Sequence, residues 1–348
     1  MHHGIKTLFF FFTLSSLLGC SRLPTVTTKA KLHTIAFYNT EDLFDTKDDP
    51  KTNDDAYTPT GAKTWTEERY EIKLKHIANV VGGIGGENGP AVIGLSEVEN
   101  KQVLEALVNT APLRKLKLNI IHHDSPDAQG LDVALLYQPK HFKPTNTQTI
   151  EIDYKEKGFA SPDILQVNGE LRGELVTFYV VQWPSPMVNR AGKANDSRLR
   201  AAATSLRQQI NKQQAADENI KIIVLGDFAA EPRAAVMQDD LKASGRPDPS
   251  YKEELFNTHY LPFVNNFGSY GSRAQLEMPD QVLISKSLLN GETGLQYVRG
   301  SASVYDPEES KYLYGRYKDT PIRTYSENLY IGGYSDHFPV YIQVRREK

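Results

Sequence analysis

The sequence predicts a mixed α/β sandwich in one domain, and three observations carry that prediction. Short apolar runs rich in Ile and Val are interleaved with amphipathic helical stretches. Several of those runs follow one another without a helix between them, which a doubly wound parallel sheet does not allow. The chain has a single cysteine among 348 residues, so no intramolecular disulfide can staple it and a hydrophobic core must hold the fold. The net charge of −3 does not imply a strongly basic face for nucleic acid. A local patch around Arg190, Lys193, Arg198 and Arg200 is compatible with that balance.

In chain order, residues 1–19 have the layout of a secretory signal. Lys6 supplies a positive start, and the apolar run 8–18 is too short to cross a bilayer. The run ends in Leu17-Leu18-Gly19-Cys20, which resembles a bacterial lipoprotein cleavage box. We therefore expect a signal peptide over 1–19, lipidation at Cys20, a tether over 20–32 and the folded domain over 33–348. That arrangement places the protein in the cell envelope, anchored to a membrane outward of the cytoplasm. An ordinary secretory signal with a chance cysteine is the alternative.

Residues 34–38 read as a first strand leading to Asn39, and the Asp-, Lys- and Thr-rich stretch 46–64 as a loop. Thr66 starts a helix with Glu67 and Glu68 in its first turn, where the helix dipole favours acids. Trp65 and Tyr70 are spaced for a hydrophobic staple. Tyr70, Leu74, Ile77 and Val81 share a face, and the glycines at 82, 83, 85 and 86 end the helix. Strands are expected over 91–95, 118–122, 133–137, 175–183, 220–225, 281–285 and 339–344, with a helix over 101–108. Asp196 is placed to cap a helix whose apolar stripe is Leu199, Ala203, Leu206 and Ile210. Residues 301–334, with seven tyrosines, read as an ordered loop.

Polar residues recur just past the strand ends. Asn39, Glu97 and Asp227 follow strands, while Asp280, Asp336 and His337 precede them. Each alone is weak, because an Asp at a strand end is commonly a turn former or cap. Asp227 alone could cap a helix beginning near Ala234. The shared position is the informative point. Oxygen donors gathered at one rim suit a hard cation such as Mg²⁺ or Mn²⁺.

The motifs are more specific than the positions. Phe37-Tyr38-Asn39-Thr40-Glu41-Asp42-Leu43-Phe44-Asp45 and Gly94-Leu95-Ser96-Glu97-Val98-Glu99-Asn100 come first. Ser125-Pro126-Asp127 and Gly130-Leu131-Asp132-Val133-Ala134-Leu135-Leu136-Tyr137 follow. Gly226-Asp227-Phe228, Asp280-Gln281, Arg323-Thr324-Tyr325 and Ser335-Asp336-His337-Phe338-Pro339-Val340 complete the series. Together, over about residues 33–345, they resemble the endonuclease/exonuclease/phosphatase family in its secreted bacterial branch. The resemblance implies a four-layer sandwich, two packed mixed β-sheets flanked by helices. It implies Mg²⁺- or Mn²⁺-assisted hydrolysis of a phosphate ester, which could be nucleic acid, a nucleotide or a small phosphoester, by an expected monomer. By position, Glu97 and Asp336 would hold the metal with Asn39. Asp227 would orient or deprotonate water, and His337, oriented by Asp280, would contact the phosphate or transfer a proton. Gln182, Asn39 and Asp132 would face the substrate.

The pattern is broken in places. Where the family has Asn-His-Trp-Pro-Ser-Arg, the chain has Val181-Gln182-Trp183-Pro184-Ser185-Pro186, and Gln182 cannot shuttle a proton. Where the family has Gly-Asp-Phe-Asn-Asp, the fourth residue is Ala229. An expected Arg is Gln129 and an expected Trp is Leu276. Glu231, His122 or His123 are candidate substitutes. These losses keep a second class in view: a catalytically degenerate relative acting as a surface ligand-binding module.

Overall fold

Alternation along the first strand decides how the layers stack. In Leu32–Leu43, Ile35 and Phe37 point into one core while Ala36 and Tyr38 point into another. The computed structural model describes Met1 and residues 31–348, except 189–193, 249, 251–252, 273, 292 and 348. The expected signal peptide, Cys20 and the patch residues Arg190 and Lys193 lie outside the described residues.

Two seven-stranded sheets form the centre. The first runs Gly294–Tyr297, Val340–Glu347, Leu32–Leu43, Val92–Val98, Asp132–Tyr137, Asn119–His122, with Ser303–Val304 added beside Val340–Glu347. The second runs Ala243–Ser244, Leu255–Asn257, Asp280–Ser285, Ile222–Asp227, Glu174–Gln182, Ile164–Leu171, Phe142–Ile150. Both mix parallel and antiparallel pairs. Residues from both sheets, including Phe37, Val180 and Leu225, share the central core. The helices α1 (Glu67–Gly83) and α2 (Lys101–Asn109) cover the outer face of the first sheet, and α3 (Ser197–Ala216) that of the second. Among the described residues, no helix is long and apolar enough to cross a membrane.

Local chemistry explains most element ends. The Thr66 side chain caps α1 by accepting from the Arg69 amide, and Trp65 and Tyr70 lie in the same core cluster, as a staple requires. Asn100 caps α2 in the same way. Asp196 precedes α3 without a side-chain cap bond, which corrects its expected role. The chain near Ala234 makes only a π-helical turn, Val236–Asp240, and Asp227 does not cap it. Leu32 already pairs with Arg345, so the ladder starts within the expected tether.

Several strands escape the sequence reading, the longest being Phe142–Ile150 and Ile164–Leu171, and the shorter ones in the two sheets being Ala243–Ser244, Leu255–Asn257, Gly294–Tyr297 and Ser303–Val304. The first is an edge strand with mostly exposed polar residues and a proline, so it lacks an apolar signature. Gly226, immediately before Asp227, is required by close approach. A Cβ there would lie 2.2 Å from Val181 Cγ2 and 2.6 Å from the Val181 carbonyl oxygen. Gly226→Ala is therefore expected to destabilise the fold by about 1–3 kcal/mol through overpacking. A urea midpoint shift at unchanged m-value reads this directly.

Candidate active site

The sheet registers bring the polar residues together. Asn39, opposite Ser96, is the last residue before the register between the two strands slips, and Glu97 follows on the neighbouring strand. In the second sheet Asp227 pairs with Gln182 on one side and Asp280 on the other. These ends open on a cleft of about 410 Å³ whose lining includes Glu41, Glu97, Asp227, Tyr270, Asp336 and His337. A second cavity of about 200 Å³, lined by Gln129, Gln182 and Trp183, shares Glu97, Asp227 and Ala229 with it.

Asn39 ties the two sheets. Its fully buried Nδ2 donates to Glu97 Oε1 at 2.8 Å and to Asp227 Oδ2 at 3.1 Å, and its Oδ1 accepts from the Glu41 amide at 2.9 Å. Glu97 Oε1 also accepts from Gln182 Nε2 at 3.0 Å, and Glu97 Oε2 from the Asp42 amide at 3.1 Å. Both lone pairs of Oε1 are thereby used, while Oε2 and Asn39 Oδ1 each retain one. Gln182 thus acts as a clamp on Glu97, a role that a proton-shuttling residue would not need.

His337 is held from behind. Its Nδ1 donates to Asp280 Oδ2 at 2.6 Å, and Ser269 Oγ donates to the same oxygen at 2.5 Å. That fixes the imidazole with Nε2 toward the cleft, 4.0 Å from Asp227 Oδ2 and 3.7 Å from Asp336 Oδ1. Burial alone lowers the pKa of His337, but the Asp280 carboxylate, aided by Asp336 and Asp227, holds it well above the ordinary value. Asp227 is pushed up to about 6 by burial and then by Asp280. Its Oδ1 accepts from the Ala229 amide at 2.8 Å.

The opposite wall is a crowd of carboxylates. Burial and mutual repulsion, chiefly with Asp336 and Asp42, raise Glu97 well above its usual range, and burial with Asp336 raises Glu41 to about 8. Buried acids that repel one another, with lone pairs turned to one cleft, suit a divalent cation. Glu97 and Asp336, which both line the cleft, are oxygen donors of the kind a hard metal ion takes, while Asn39 is fully buried against Glu97 and lines neither cavity. Asp227, Asp280 and His337 also lie close enough to share an ion, but His337 Nδ1 already donates to Asp280. A third group, His122, Asp124 and Asp132, stands apart.

Backbone strain concentrates at the same place. Glu41, Asp42, Glu97 and Ala229, all lining the cleft, have φ of 53°, 56°, 58° and 46°. The first three sit where the register between the first two strands slips. Each such residue costs about 1–2 kcal/mol. Asn tolerates this region better than Ala. Ala229→Asn is accordingly expected to stabilise the fold by about 0.5–1 kcal/mol. It should also raise turnover, by up to about 10²-fold, by adding a donor to the cleft. Urea unfolding and steady-state rates check both.

Of the residues expected from sequence, the structure brings Asn39, Glu97, Gln182, Asp227, Asp280, Asp336 and His337 together. It does not bring Asp132 to either cavity. One Asp132 oxygen lies 2.8 Å from His122 Nε2, and the other accepts from the Ser125 amide and hydroxyl. That same contact takes up His122, while His123 bonds to Thr147, so neither faces the cleft. Glu231 does line it. Of the expected basic patch, Arg198 pairs with Glu156 and Arg200 with Asp240. Sequence reasoning gave no role to Glu41, Asp42, Tyr57, Lys73 or Tyr270. The legible signal for Lys73 was a lysine one position from Leu74 and three from Tyr70, inside the apolar stripe of α1.

The model of the Endonuclease/Exonuclease/phosphatase family matches residues 34–346. No curated protein matches the chain. Among solved structures, D. rerio TDP2 complexed with single strand DNA product is similar at 11% identity, covering 90% of this chain and 99% of that one, with a TM-score of 0.54. Bacteroides thetaiotaomicron mannosyl-6-phosphatase is similar at 14% identity, with 90% and 99% coverage and a TM-score of 0.53. The catalytic domain of human nocturnin with bound sulfate gives 14%, 90%, 94% and 0.52. At these identities the likeness establishes the fold, two large mixed sheets flanked by helices. With the family model spanning residues 34–346 of the 348, the chain belongs to the endonuclease/exonuclease/phosphatase family.

Proposed function

We propose that the protein is a divalent-metal-dependent phosphoesterase acting at this cleft. The observation that supports it most is the convergence of Glu97, Asp227, Asp336 and His337 on one cleft, with Asp280 bracing His337 from behind and Asn39 joining Glu97 to Asp227. A bound Mg²⁺ or Mn²⁺ would supply charge stabilisation at the phosphoryl oxygens. Asp227 orients the attacking water and accepts its proton. His337, cationic and braced by Asp280, donates through Nε2 to the phosphate or leaving oxygen. Gln182 keeps Glu97 aimed at the cleft, and Asn39 spans metal and phosphate sides. A pure binding module would gain nothing from the strain and buried charge gathered here.

Of the similar structures, one is complexed with a single strand DNA product and another is a mannosyl-6-phosphatase. The present cleft has many carboxylates and Lys63 as its lining lysine, which favours a small phosphoester or single nucleotide over a polyanionic duplex. Cys20 as a lipid anchor in the cell envelope, and a monomeric state, complete the reading; both rest on sequence.

A phosphoester screen with Mg²⁺ and Mn²⁺ tests the proposal. Chelator-sensitive hydrolysis is expected, and Glu97→Gln, which removes the charge of a direct donor, is expected to weaken metal binding by more than the about 10–100-fold that losing an outer-shell partner costs. No hydrolysis of any phosphomonoester or phosphodiester would overturn it.

A further inference from the structure

The far end of the first strand carries charge that the proposed chemistry does not use. His33 precedes Asn39 by six residues in the strand Leu32–Leu43, which puts it about 20 Å along the strand from the cleft. By alternation its ring takes the face of Ile35 and Phe37, toward the central core. There it meets His141, the residue before the strand Phe142–Ile150 of the second sheet, with ring centroids 4.8 Å apart and planes at 62°. The two residues are only 4% and 9% exposed, and His141 Nδ1 is buried without a hydrogen-bond partner.

Arg172, Lys140 and Lys31 border the pair. The Arg172 amide donates to the His141 carbonyl at 3.0 Å and its NH1 to the Lys140 carbonyl at 3.4 Å, so the Arg172 hairpin is tied to the backbone beside His141. Lys140 adjoins His141, and Lys31, two residues before His33, takes the same side by alternation. Glu174, the acid that follows on the Arg172 hairpin, is taken up by Arg346 and Lys221. Among the described residues, the charges acting on the two rings are all positive. Burial first, then His141, Arg172 and Lys31 around His33, and Lys140, Arg172 and Lys31 around His141, hold each imidazole down to about 4. Like charges gathered around an orphaned ring nitrogen weaken a fold unless something negative sits among them. A guanidinium fork, two ammonium groups and imidazole N–H donors are the groups that phosphate oxygens take. The chain also enters the domain at this end. Lys31 follows Cys20 by eleven residues, a span of at most about 40 Å.

We infer that His33, His141 and Arg172, flanked by Lys31 and Lys140, form an anion site remote from the cleft that takes a phosphate group, free or on the headgroup of an anionic phospholipid. The site stands independently of the phosphoesterase reading. A phosphate held there lets the imidazoles carry protons, so binding takes up protons and strengthens as pH falls through the bound-state values.

The test follows the imidazole Cε1–H resonances of His33 and His141 in the full chain with chelator present, assigned with His33→Gln and His141→Gln. Without phosphate both are expected to titrate near 4. Inorganic phosphate should raise both by about one unit or more, and chloride at the same ionic strength should not. Arg172 is exposed, so Arg172→Gln keeps the fold; it should abolish the phosphate response and leave the rate at the cleft unchanged. A second arm compares vesicles of phosphatidylglycerol with vesicles of phosphatidylcholine, for wild type and for Arg172→Gln combined with Lys140→Gln. Both chains carry the same N terminus, so the difference between them reports the site. A preference for phosphatidylglycerol that the double variant loses assigns the site to a headgroup, and a response to inorganic phosphate alone assigns it to the free ion. No response to phosphate or vesicles, the same movement in chloride, or a response that survives Arg172→Gln overturns the site.

Discussion

Asp227→Ala is expected to lower kcat by about 10²–10⁴-fold, the usual worth of a positioned proton-transfer group. Metal affinity should change little, because Asp227 meets Glu97 only through Asn39 and Asp336 only through His337. Asn39 Nδ2 keeps Glu97 Oε1 as an acceptor, and the Ala229 amide, which loses its own, lines the cleft where water can reach it, so the fold should survive. The pH profile adds a sign. Burial and Asp280 hold the Asp227 carboxyl up to about 6, and its base form appears above that value. The acidic limb of kcat/KM is thus expected at or below pH 6, moved downward by the metal's charge. A limb above pH 7, or unchanged kcat in the variant, would remove Asp227 from the proposed role.

The second large effect concerns the braced histidine. His337→Ala should cost about 10²–10⁴ in kcat, and adding Asp280→Asn to it should cost little more, because the two act as a unit. Asp280→Asn alone should act through pH. The Asp280 carboxylate overrides burial to keep His337 protonated. Without that charge the imidazole pKa falls, so the alkaline limb of the kcat/KM profile moves to lower pH. The same linkage has a stability sign. A histidine whose folded pKa is raised stabilises the fold fully below about 6.5, its unfolded value, and that contribution fades as pH rises through the folded pKa. Additive losses in the double variant, or an unmoved alkaline limb in Asp280→Asn, would show that the pair does not work as one.

Much of this site was legible because its residues lie at strand ends, and strand ends are visible in a sequence. Gly226-Asp227 after an Ile-rich run, and Asp336-His337 before one, announce both the element and the exposed terminus. Asp280 came from the same logic and Gln182 from the family motif, and the register sets them on either side of Asp227. Asp132 shows where it fails. It also begins a strand, yet its carboxylate is consumed by His122 and Ser125, a pairing set by tertiary distance. Phe142–Ile150 was missed because edge position and polar outward residues remove the apolar pattern, and the interior strand Ile164–Leu171 because Gln166, Asn168 and Glu170 interrupt its apolar residues. Glu41, Asp42 and Lys73 were not assigned because their meaning is collective. A single lysine in a helix stripe reads as an oddity until the 324–334 segment folds over it.

The division of the cleft into a metal side and a phosphate side is tested most directly by anomalous diffraction from crystals soaked in Mn²⁺. The expected result is one strong peak within bonding distance of Glu97 and Asp336, with Asp227, Asp280 and His337 free of it. A peak seated among Asp227, Asp280 and His337 would contradict the assignment of both sides.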